Sequence, residues 1–68
     1  MGYIELKKTL KVLRIRIKDL AILLGMTEQG IFRWKNSEVP KHIIEYLDVL
    51  TRLPIEEREK YLAEKLAN

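Results

Sequence analysis

The ten residues Thr27-Glu28-Gln29-Gly30-Ile31-Phe32-Arg33-Trp34-Lys35-Asn36 gather many of this chain's groups suited to recognising a polar partner. The amides of Gln29 and Asn36 both donate and accept hydrogen bonds. The Arg33 guanidinium offers a rigid fork of donors, and Lys35 offers a point charge. These groups suit binding, and the rest of the chain offers little for catalysis. The chain contains no phosphate-binding loop and no plausible nucleophile–base pair. Its hydroxyls, Thr9, Thr27, Ser37 and Thr51, are sparse. Glu56, Glu57 and Glu59 crowd one stretch, which reads as a solvated surface. With no cysteine and one histidine there is no disulfide framework and no zinc ligand set. The expectation is a binding protein that is not an enzyme and has no cofactor, metal or small-molecule ligand.

Positioning such groups requires a folded scaffold. The chain has 68 residues, 47% of them hydrophobic, enough for one small domain over residues 1–68. No apolar run approaches the roughly 20 residues of a membrane helix. The N-terminus MGYIELKK lacks the apolar stretch of a signal peptide. A cytoplasmic protein without a membrane partner is expected. The net charge of +3 is unevenly spread. Residues 1–41 carry nine cations against four anions, leaving +5, and residues 42–68 carry four against six, leaving −2. A basic half of this kind suits a polyanion.

The spacing of apolar residues predicts helices throughout, hence an all-α fold: a compact bundle of about five short helices. Tyr3, Leu6, Leu10, Leu13 and Ile17 recur at three- and four-residue steps along a first helix. The alternation Arg14-Ile15-Arg16-Ile17 is too short for a strand and reads as a helix end and link. A second helix runs from about Lys18 to Leu24, with Leu20, Ala21 and Leu24 inward. Gly25 ends it, as glycine does where the backbone needs a positive φ. Thr27 caps a third helix over 27–36, with Glu28 near its positive end and Ile31 and Trp34 inward. Gly30 is costly within a helix, which hints at a close backbone approach. Pro40 and Pro54 fit the first turns of a fourth helix, to about Arg52, and a fifth over 54–66.

Ala21, Gly25, Ile31 and Trp34, with Leu20, Leu24 and Met26 at further apolar positions, give the chain its one resemblance. The pattern resembles the helix-turn-helix of the phage repressor, Cro and XRE-like DNA-binding proteins. It is closest over residues 17–36 and extends over 3–53, leaving 54–68 as a C-terminal helix outside it. Phe32 and Ile22 stand where that family often has polar residues, and the loop before the fourth helix lacks its usual glycine.

The resemblance implies a sequence-specific transcriptional regulator of double-stranded DNA, repressor-like, with helix 27–36 in the major groove. Glu28, Gln29, Phe32, Arg33 and Asn36 would then face the bases. Gln29 suits adenine, Arg33 guanine or a phosphate, Phe32 a thymine methyl and Glu28 a cytosine amine. Lys18, Thr27, Lys35, Ser37 and Lys41 would hold phosphates. The fourth helix shows two apolar stripes, Ile43-Leu47-Leu50 and Tyr46-Val49-Leu53. The second stripe, with Ile55, Leu62 and Leu66, is covered either by the fifth helix or by a second chain. The expectation is a homodimer through these residues on a palindromic operator. The alternatives are a protein-interaction domain built on the same helices, presenting Ile22, Phe32 and the fifth helix, and a DNA-binding antitoxin or recombination accessory factor.

Overall fold

In a computed structural model, which describes residues 2–67, five α-helices follow one another. They are α1 (Tyr3–Leu13), α2 (Ile17–Leu24), α3 (Glu28–Phe32), α4 (Lys41–Arg52) and α5 (Ile55–Leu66), with a 3₁₀ turn, Arg33–Lys35, closing α3. The fold is all-α, and no strand occurs among the described residues. The Cα radius of gyration is 11.5 Å, close to the roughly 11 Å of a compact domain this long.

The core is apolar and contiguous. Leu6, Leu20, Ile31 and Leu47, one from each of the first four helices, lose essentially all their accessible surface. Leu10, Leu13, Ile43, Leu50 and Trp34 pack with them, and Leu62 is the contribution of α5. No polar or charged side chain is buried among the described residues. α4 lies against α1, while α3 and α5 both lie against α2, which places α2 between the candidate surface and the C-terminal helix.

Two helices end in the same way with different residues. At Gly25 the backbone turns left-handed, with φ 66° and ψ 33°. The Gly25 N–H donates to the Ile22 carbonyl and the Met26 N–H to that of Ala21. This paired 5→2 and 6→1 bonding is a Schellman stop. At Arg14 the same conformation recurs, φ 60° and ψ 38°. There Arg14 donates to Lys11 and Ile15 to Leu10. Glycine takes this conformation without penalty; a side-chain-bearing residue does not. The stop at Arg14 turns Ile15 into the core, where it is 9% exposed. The alternation of residues 14–17 is thus a helix end and link.

Several boundaries differ from the sequence reading. Ile17 opens α2 and does not continue the face of α1. Pro40 and Pro54 sit at the N-caps of α4 and α5, each with ψ near 145°, and not in the first turns. Their carbonyls still accept the first helical bonds, from Ile44 at 3.2 Å and Arg58 at 2.9 Å. The helix expected over 27–36 is α-helical only for Glu28–Phe32 before it tightens.

Candidate nucleic-acid interface

α3 is short and is fixed from both ends. Thr27 stands at its N-cap in extended conformation, and its hydroxyl oxygen accepts the Gly30 N–H at 3.1 Å. That bond satisfies one of the donors every helix start leaves open, a contribution of about 1 kcal/mol. Ile31, fully buried, and Trp34, 7% exposed, hold the opposite side to the core. Gly30 does not admit a neighbouring backbone. A methyl group there would meet the Met26 terminal methyl at 3.1 Å and the Thr27 hydroxyl at 3.4 Å. The glycine makes room for the cap and for a flexible side chain.

With that inner side fixed, the outer side is open. Glu28, Gln29, Phe32, Arg33 and Asn36 are all exposed. The side chains of Glu28, Gln29, Arg33 and Asn36 make no hydrogen bond or ion pair among the described residues. Phe32 is 39% exposed and has a specific neighbour. The Lys35 ammonium lies 4.9 Å from its ring centroid and 5.5 Å from that of Tyr3. Lys35 therefore bridges the end of α3 to the start of α1 through two cation–π contacts. Tyr3 was legible in sequence only as part of the apolar face of α1; its partner lies 32 residues away and leaves no local signal.

The candidate phosphate ligands are more scattered. Lys18 and Lys41 are exposed in the first turns of α2 and α4. The Ser37 hydroxyl donates to the Arg33 carbonyl at 3.3 Å, closing the 3₁₀ turn. Thr27 already uses its oxygen as the cap. The start of α2 is partly occupied as well. The Asp19 carboxylate accepts the Arg16 N–H at 3.0 Å and lies 3.8 Å from the Arg16 guanidinium. Arginine has no acceptor, so the bond completing a reciprocal capping box is absent. An acid here competes with any incoming phosphate for the positive end of the helix.

The residues read as a pairing surface separate into two groups. Leu62 is 7% exposed and belongs to the chain's own core, which corrects its place in that surface. The Tyr46 hydroxyl lies 2.8 Å from that of Tyr61 on α5. Burial first, and then this hydrogen bond, push the Tyr46 phenol well above its ordinary range. Val49 and Ile55 remain 57% and 63% exposed, and Leu53 and Leu66 are half-buried. Helix α5 thus covers only part of the second stripe of α4. No helix among the described residues is long and apolar enough to cross a membrane. Comparison with protein-family models, curated proteins and solved structures finds no match for this chain.

Proposed function

We propose that this chain is a cytoplasmic, sequence-reading DNA-binding regulator, with α2, the Gly25 stop and α3 acting as a helix-turn-helix. One observation carries the reading. α3 and its closing turn are held by Ile31 and Trp34, while the side chains of Glu28, Gln29, Arg33 and Asn36 stand exposed without polar partners, with Phe32 beside them. A rigid helix with open donors and acceptors is what a major groove requires. The +5 charge of residues 1–41 adds long-range attraction to a polyanion. In this reading Arg33 reads a base or clamps a phosphate, Gln29 and Asn36 read base edges, and Lys18, Lys35 and Lys41 position the duplex. The exposed Val49 and Ile55, with Leu53 and Leu66, offer a surface for a second copy.

The test is selection from random duplex DNA with non-specific competitor at near-physiological salt. The expected product is an enriched inverted repeat; a single half-site removes the dimer and keeps the reading. Binding should weaken steeply with salt as counterions are released. Arg33→Ala should lower affinity by about 1–3 kcal/mol if the residue reads a base. A second reading, a protein-interaction domain, is favoured by the exposure of Ile22 (52%) and Phe32. No enrichment by a folded protein, with no salt-dependent affinity for DNA, transfers the weight to it.

A further inference from the structure

Helix α1 has an outward face to which the DNA reading assigns no contact, using its cations only as part of the long-range charge. Leu6, Leu10 and Leu13 turn inward, yet Ile4 is 71% exposed, the most of any large apolar side chain among the described residues. It stands on an open groove of about 610 Å³ between α1 and the start of α2. Ile15 and Ile17 help to floor the groove, and Lys7, Lys8, Lys11 and Arg16 surround it. None of its lining residues is acidic, and none belongs to α3.

The lysines lie close together, and Glu5, three residues before Lys8, forms no ion pair with them. Lys7 and Lys11 are four residues apart and Lys8 and Lys11 three, the spacings at which like charges repel on a helix. Arg16 has Asp19 at 3.8 Å, while the three lysines form no ion pair among the described residues. The free protein thus holds wetted apolar surface beside uncompensated positive charge. A bare polyanion would relieve the charge and leave the floor wet. A neutral apolar segment would cover the floor and strip water from the lysines without pairing them. Only an occupant both acidic and apolar-faced relieves both.

We propose that this groove docks an acidic amphipathic helix of a partner protein. The partner's apolar side chains, at helical spacing, cover Ile4 and the exposed part of Ile17, and its flanking carboxylates meet Lys7, Lys8, Lys11 and Arg16. The stretch from Ile4 to Lys11 spans about 10 Å, the length of two helical turns. On α5 the exposed Ile55 has Glu59 about 40° and Glu56 about 100° from it around the axis, so a second copy of this chain is the rival occupant, and groove amides that shift as the concentration of the chain alone is raised would overturn the proposal. The inference does not rest on the DNA reading.

The experiment uses two synthetic peptides of identical composition, added to the full isotope-labelled chain. One places leucines at i, i+4 and i+7 among glutamates; the other shuffles them. The patterned peptide is expected to bind at least about tenfold more tightly and to shift the amides of Ile4, Lys8 and Ile17. Ile4→Ser, and separately Lys8→Glu with Lys11→Glu, should each weaken it about tenfold while leaving the thermal melt unchanged. Equal binding of the two peptides, shifts centred on α3, or indifference to Ile4→Ser would each overturn the proposal. So would a DNA duplex that shifts the groove amides more strongly than the patterned peptide.

Discussion

The hydroxyls of Tyr46 and Tyr61 lie 2.8 Å apart and join α4 to α5 across 15 residues of sequence. Both rings are half-buried and pack on the core. The contact decides how α5 is used. A residue expected to face a second chain instead holds the C-terminal helix to its own.

This contact sets an alkaline limit. The Tyr46 phenol is raised above its ordinary value of 10.0 by burial and by Tyr61. The folded state therefore keeps a proton that the unfolded chain begins to release near pH 10. The stability it contributes is fully present below that pH and falls as pH rises through and beyond it. Tyr46→Phe should remove this part of the alkaline slope and cost about 0.5–1.5 kcal/mol at neutral pH through the lost hydrogen bond. Denaturant titrations of both proteins at pH 7 and at successive steps above pH 9 would test it. Parallel pH curves for the two would sink the idea.

Arg14 and Gly25 hold one backbone conformation with opposite consequences. Arg14→Gly should stabilise the fold by about 1 kcal/mol, because the left-handed geometry no longer meets a Cβ atom. For a domain this small that is a rise in Tm of roughly 4–8 °C. Gly25→Ala should lower Tm by a similar amount, although a methyl there meets no atom within 4 Å. Thermal melts by circular dichroism suffice. A lower Tm for Arg14→Gly would mean that the arginine side chain contributes more than its backbone costs.

Leu62 and Ile55 separate core from surface on one helix. Leu62→Ala should cost about 2–5 kcal/mol at any protein concentration. Ile55→Ser should change the stability of the single chain by no more than about 0.5 kcal/mol. It should instead lower the mass measured by light scattering at tens of micromolar, if α4 and α5 join two copies. A monomer mass for the unsubstituted chain at that concentration removes the pairing surface.

Much of the fold is legible in local spacing. The inward rows of α1 and α4, the stop at Gly25, the cap at Thr27 and the burial of Ile31 and Trp34 all follow from periodicity and single-residue preferences. What is not legible depends on distant partners or on a residue acting against type. Arg14 takes a glycine's role because the Leu10 and Lys11 carbonyls and the burial of Ile15 reward it. The docking of α5 on α2 has no signal within α5 itself, whose apolar line suits several neighbours equally. The outer side of α3 is legible in composition, but the bridge from Lys35 to Tyr3 is tertiary in origin, and the tightening after Phe32 rests on local bonds that spacing alone does not reveal.

That tightening changes the angular order of the exposed groups. In an α-helix Asn36 would trail Arg33 by about 60° around the axis. In a 3₁₀ turn, residues three apart eclipse one another, and the Asn36 N–H bonds the Arg33 carbonyl at 3.2 Å. Asn36, the residue that caps this turn, is therefore carried toward the side of Arg33, about 6 Å on along the axis. A guanidinium and an amide brought toward one side in this way form a two-pronged comb, and a substitution that restored α-helical winding would splay its teeth without removing either.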